Sequence, residues 1–141
     1  MPFAACRHAF ADRASGFCFL NNAAIAADLI CKRAGTVAIL DFDTHHGDGT
    51  QAIFYDRKDV LFASVHTDPT TYYPYFSGYA DERGEGEGLG ANVNVPLPPG
   101  SSDEAFLEAC RTLVKAVHVR HSRPDPQLMD RTYETALQQP H

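Results

Sequence analysis

The chain has no C-x-x-C pair, no apolar run of membrane-spanning length, no long Lys/Arg cluster, no internal repeat and no low-complexity tract. Each absence removes a class of protein. Cys6, Cys18, Cys31 and Cys110 are scattered along the sequence, so reduced thiols in a cytoplasm are expected over a disulfide framework, with the even count leaving a bridge open. No segment is long enough for a membrane helix, and the N-terminus lacks the basic-then-apolar layout of a signal peptide. A net charge of -6 argues against a nucleic-acid partner and against an anionic membrane surface. There is no Gly-x-Ser-x-Gly elbow for a metal-free serine nucleophile, and a cysteine nucleophile would rest only on Cys6 or Cys18 lying near His8. The glycine-rich run from Gly84 to Gly90 lacks a Lys-Ser/Thr pair and carries Glu85 and Glu87, which would repel phosphate. What remains is a chain of 141 residues, expected to be one domain able to bury a core unaided.

The densest chemistry lies in Asp41-Phe42-Asp43-Thr44-His45-His46-Gly47-Asp48-Gly49, directly after the apolar run Thr36-Val37-Ala38-Ile39-Leu40. That run is short, β-branched and bounded by Gly35, which predicts a buried strand of a parallel sheet. Open α/β sheets place their chemistry at the C-terminal ends of such strands. Alternation along an extended chain sends Asp41, Asp43 and His45 to one side. Carboxylates with imidazole suit zinc or another borderline divalent metal. Turn and cap roles would also explain Asp and Gly here, but packing five ionisable groups against a buried strand is a costly way to build a turn. A metal or acid–base site is the stronger reading.

Around this stretch the pattern is α/β. Asn21-Asn22 supplies an N-cap for a helix over Ala23–Ala34, with Lys32 and Arg33 in its last turn and Gly35 as its stop; its nearly continuous apolar character suggests burial. A short helix is predicted over Thr50–Tyr55, with Asp48 favoured near its N-terminus, and a second strand over Val60–His66, making a βαβ unit. The connection from Thr67 to Gly90 is long and dense in Tyr, Pro and Gly, as functional loops are. A third strand follows over Asn92–Leu97. Ser101 and Glu104 then form a capping box for a helix whose Phe106, Cys110, Leu113 and Val117 recur at helical spacing, ending near Arg123-Pro124.

Asp-x-Asp-x-His-His-Gly-Asp-Gly resembles the core motif of the zinc-dependent histone deacetylase and acetylpolyamine amidohydrolase superfamily. Gly16-Phe17-Cys18-Phe19-Leu20-Asn21-Asn22 and the segment from Gly84 through Asn94-Val95-Pro96-Leu97 agree with it in order, so the resemblance runs from about His8 to the helix after Gly100. It implies a partial arginase/deacetylase-like three-layer fold with a mainly parallel sheet. It further implies that Asp43 and His45 ligate Zn2+ or another divalent metal. Asp41, Asp43, His45 and Ser64 would hold a monovalent cation such as K+, and Gly16, Phe17 and Tyr73 would line the channel for an acyl-lysine-like chain. His8 takes the place of the second of the family's tandem histidines, the general base or acid, with Asp48 orienting it. Asp41 completes the implied catalytic set by orienting the first of those histidines, and Arg7 stands in that histidine's place. Arginine stays protonated, so it cannot accept a proton from water. It could stabilise an oxyanion, pair with Asp41, or be a solvated surface residue.

The resemblance therefore implies metal-assisted hydrolysis of an acyl amide, of acetyl-lysine or acetylpolyamine type, or of an acyl or aryl ester. The family's Gly-x-Asp and Gly-Gly-Tyr segments, which supply a third zinc ligand and a carbonyl-polarising tyrosine, are not in the sequence. Asp125, Asp130, His118, His121 and Tyr133 have the chemistry to substitute for them. The expectation is one truncated domain over residues 1–141, with an irregular entry over 1–15 and a divergent tail over 120–141. An uncovered sheet edge predicts a homo-oligomer. The alternative is a catalytically inactive fragment acting as an oligomeric structural or binding module.

Overall fold

A computed structural model describes residues 6–122. The described residues form, in chain order, α1 (Asn22–Ala34), β1 (Val37–Asp41), α2 (Asp48–Phe54), β2 (Val60–Thr67), β3 (Asn92–Leu97) and α3 (Asp103–Ser122). The strands form one parallel sheet in the order β1-β2-β3, with Asp41 opposite Ser64 and Ser64 opposite Asn94. All three strands therefore deliver their C-terminal ends to one edge, the edge at which the Asp41–Asp48 segment leaves β1.

Alternation along β2 builds the two sides of the core. Leu61, Ala63 and Val65 pack with Val93 against Ala109, Leu113 and Ala116 of α3. On the opposite face Val60 joins Ala24, Ala27 and Cys31 of α1 and Phe54 of α2. The result is three layers, with β2 central and buried along nearly its whole length. Leu113 is fully buried, and truncating such a leucine to alanine costs about 2–5 kcal/mol.

Three sequence expectations are corrected. Strand β1 is an edge strand, half-buried and with Leu40 exposed, because only β2 pairs with it among the described residues. Helix α1 buries one stripe only: Ala24, Ala27 and Cys31 face the sheet while Ile25, Leu29 and Ile30 are exposed. Helix α3 is capped by Ser102, one residue later than expected, since the Ser102 hydroxyl accepts the Ala105 N–H at 3.3 Å while the Ser101 hydroxyl donates to the Pro98 carbonyl. The α1 cap is as predicted, with the Asn21 side-chain oxygen accepting the Ala24 N–H at 2.9 Å. Asp125, Asp130 and Tyr133 lie outside the described residues; His118 lies on the exposed side of α3.

Candidate active site

The site is built where the segment Arg7–Ala9 crosses the start of α2. Its backbone is pinned on both sides. The Arg7 carbonyl accepts from the Thr50 N–H at 3.0 Å, the Thr50 hydroxyl at 3.1 Å and the Asn21 side-chain amide at 3.1 Å. The Ala9 carbonyl accepts from the same Asn21 amide at 2.9 Å. Asn21 and Thr50 thus serve the helices they begin and the segment that carries the chemistry. The approach is so close that a Cβ on Gly49 would stand 2.2 Å from the Ala9 oxygen, which explains the glycine after Asp48.

Two corners project from this segment. In the first, His8 Nδ1 lies 2.7 Å from Asp48 Oδ1, both side chains buried. A carboxylate only accepts, so the imidazole proton belongs on Nδ1 and the Nε2 lone pair is left to take another. The Tyr73 ring stands edge-on to His8 with centroids 5.3 Å apart, and its hydroxyl pairs with the Ser15 hydroxyl at 3.2 Å. Gly16 closes the other side at a positive φ of 52°, so near that a Cβ there would fall 2.5 Å from the His8 side chain. Phe17, also at positive φ, is fully exposed and outside the core.

In the second corner, the Arg7 guanidinium reaches Asp41 Oδ2 at 3.0 Å, pairs with Asp43 Oδ1, and donates to the His45 carbonyl at 3.3 Å. Asp43 in turn accepts from the His45 N–H at 2.9 Å and stands 3.3 Å from His45 Nδ1. Tyr72 stacks on the His45 ring at 4.9 Å. Burial pushes the Asp41 carboxyl above its ordinary value, opposed by the Arg7 charge. Burial would also raise Asp43, but the His45 N–H and the Arg7 charge outweigh it and hold that carboxyl below its usual range. Of the readings open for Arg7, the ion pair with Asp41 is the one formed.

His46, adjacent to this corner in sequence, is fully buried, with Nδ1 at 3.1 Å from the Ser77 hydroxyl and its ring against His66 at 4.6 Å. Burial and the neighbouring His66 depress its pKa to about 3, so it is a neutral structural imidazole. His66 donates from Nε2 to the Gly78 carbonyl at 2.8 Å and accepts at Nδ1 from the Ser64 hydroxyl at 2.8 Å. Beneath lies a polar layer that motif reading did not isolate. The Gln51 side-chain oxygen accepts from Asn92 at 2.9 Å and Asn94 at 2.8 Å, and its amide donates to Glu82 at 2.8 Å. Glu82 also accepts the Gly78 and Tyr79 N–H groups, tying the long loop to the sheet. The available signal was Asn92 and Asn94 two apart in a buried strand, where polar side chains on one face need partners.

The described residues do not fit a resident zinc ion by themselves. Asp43 and His45 are two donors where three or four are usual, and Asp43 already carries a guanidinium. No group of three or more His, Cys, Asp or Glu among the described residues could hold a metal ion. Nor do they fit a monovalent cation, since Arg7 engages Asp41 and Asp43 and the Ser64 hydroxyl serves His66.

The chain is thus a parallel α/β sandwich with a buried His–Asp pair at the C-terminal edge of its sheet. The sequence matches the histone deacetylase domain over residues 4–131, and the chain belongs to that family. An acetylpolyamine amidohydrolase of Burkholderia pseudomallei is 58% identical over 110 residues, covering 75% of this chain and 32% of the relative. One from Mycoplana ramosa is 48% identical over 120 residues, covering 82% of this chain and 35% of the relative. The crystal structure of the acetylpolyamine aminohydrolase from Burkholderia pseudomallei superposes with a TM-score of 0.78 at 54% identity, over 79% of this chain and 33% of that one. An HDAC homologue solved in complex with SAHA gives 0.77 at 39% identity, over 80% of this chain and 31% of that one. The chain spans about a third of the length of the curated relatives it matches.

Proposed function

We propose that the chain is a deacetylase-like hydrolase that cleaves an acyl amide of acetylpolyamine or acetyl-lysine type, and the corresponding esters more readily. The observation that carries this is the buried His8–Asp48 pair, 2.7 Å apart, on a segment pinned by Asn21 and Thr50. Asp48 fixes the tautomer, and His8 Nε2 takes a proton from the attacking water as its oxygen bonds to the acyl carbon. The same nitrogen returns that proton to the leaving amine or alcohol as the acyl bond breaks, and Asp48 stabilises the imidazolium in between. Tyr73, beside His8, and exposed Phe17 form walls for an extended acyl chain, with Gly16 keeping the backbone close to His8. The relatives named as acetylpolyamine amidohydrolases support an acetylated polyamine as substrate.

Hydrolysis of an acetylated polyamine, an acetyl-lysine peptide and an aryl acetate by the wild type, His8→Ala and Asp48→Asn tests this. Loss of general base catalysis lowers turnover about 10²–10⁴-fold; unchanged turnover in both variants rejects the site. Residues 6–122 behave as one domain in this reading, and the setting is cytoplasmic, as the scattered cysteines suggest. No helix among the described residues is long and apolar enough to cross a membrane. The exposed Ile25, Leu29 and Ile30 of α1 and Leu40 on the edge strand support association with a second copy; a monomeric mass by light scattering would reject that.

A further inference from the structure

We propose that Arg7 is a built-in cation that offsets the carboxylate charge of the Asp41–Asp43–His45 corner in place of a bound divalent metal, and so keeps this chain metal-poor. The corner gathers two carboxylates and a main-chain carbonyl around a single positive group. Arg7 and Asp41 are nearly buried at their side chains, 13% and 10% exposed. Carboxylates brought together in such a place need a positive partner, because an uncompensated buried charge is far costlier than a paired one. A guanidinium suits that task. It is charged at any ordinary pH, and its planar fork presents several N–H donors to oxygens in fixed directions. Arg7 Nε stands 3.0 Å from Asp41 Oδ2 as an ion pair, and an Nη serves Asp43 and the His45 carbonyl. Its reach is set by the backbone: the Arg7 carbonyl accepts from Thr50 and Asn21, so the side chain is aimed at the corner by contacts it does not make itself.

Competition follows directly. A divalent ion approaching Asp43 and His45 finds the guanidinium already on Asp43 Oδ1, and even on Oδ2 it would sit beside the positive charge of Arg7. Repulsion between cations a few ångströms apart then works against binding. Replacing Arg7 by a neutral side chain removes both obstacles. Histidine also adds a donor, since imidazole is a common metal ligand.

The test titrates the purified full chain with Zn2+ and with Co2+, following heat and the visible absorption of cobalt, for the wild type, Arg7→His and Arg7→Met. The variants are expected to bind at least about tenfold more tightly than the wild type, equivalent to about 1.4 kcal/mol. Equal affinity in all three overturns the proposal, whether that affinity is high or low. A measurement on the wild type alone covers the case in which the variants fail to fold. Its melting temperature should be unmoved by micromolar Zn2+, and a rise of several degrees overturns the proposal by showing a ready-made site. Neither readout uses turnover, so an inactive His8→Ala and a failed metal titration report on separate corners.

Discussion

Arg7 and His8 are neighbours in sequence and leave the same pinned backbone, yet the corners they form differ in burial, in charge and in what they can exchange. His8 and Asp48 are both buried and joined by one short bond; the pair has an imidazole lone pair to offer and can move a proton. Arg7 is joined to Asp41 and to Asp43, whose side chain is 42% exposed; its guanidinium holds its protons and offers only fixed charge. A single side-chain identity separates a proton-handling corner from an electrostatic clamp, because the backbone beneath both is the same. Residue type and burial together decide what each corner does.

Removing the carboxylate from each corner should break the comparison most visibly. Asp48→Ala leaves the buried His8 Nδ1–H without its acceptor, and an unsatisfied buried donor costs about 1–3 kcal/mol. Asp43→Ala removes a carboxylate that water partly serves, and Arg7 keeps Asp41, so the expected cost is under about 1 kcal/mol. Urea denaturation of both variants checks this. Similar losses would mean that burial does not distinguish the corners.

Acid separates both corners from the layer below them. Burial holds His46 at a pKa of about 3 and pushes His66 down as well. A histidine depressed in the folded state contributes stability that is complete above the unfolded value near 6.5 and is lost as pH falls toward the folded value. For His46 alone, lowering the pH from 7 to 5 should cost about 2 kcal/mol. His46→Gln should flatten that slope; a slope unchanged by the substitution would place the acid sensitivity elsewhere.

The strands and the helices were readable in the sequence because each rests on local signals. A β-branched run after Gly35 marks β1, one bounded by Asp59 and Asp68 marks β2, and Asn21 marks the start of α1. Pairing and partner choice were less readable. That β1 lies at an edge is a property of strand order, which residues Val37–Asp41 do not encode. Ser101 and Ser102 are equivalent as caps until the Pro98 carbonyl claims the first. Arg7 had three readings in the sequence, and only folding showed that its guanidinium lands on Asp43 as well as Asp41. The Gln51–Asn92–Asn94–Glu82 layer was hidden because its members lie up to 43 positions apart.

Two glycines offer the finest contrast, since each abuts one corner. A Cβ on Gly16 would meet the Cβ and Cγ of His8 at 2.5 Å, on a backbone at a φ of 52° that side chains rarely adopt. Neither obstacle can yield at the tip of a side chain, so Gly16→Ala must shift the imidazole or the loop, at about 1–2 kcal/mol. A Cβ on Gly47 would meet Asp41 Oδ2 at 2.8 Å and the Arg7 Cδ at 3.3 Å. The buried Phe62 ring stands at 3.3 Å as well, but the nearest atom is the end of the Asp41 side chain, and the φ of Gly47 is an ordinary -82°. Gly47→Ala should therefore cost less than about 1 kcal/mol while loosening Arg7 from Asp41. If the corners are independent, Gly16→Ala lowers turnover and leaves metal affinity alone, and Gly47→Ala raises metal affinity and leaves His8 in place. A Gly47→Ala variant that loses turnover as severely as Gly16→Ala would show that the shared backbone couples the two corners, and that Arg7 contributes to positioning His8.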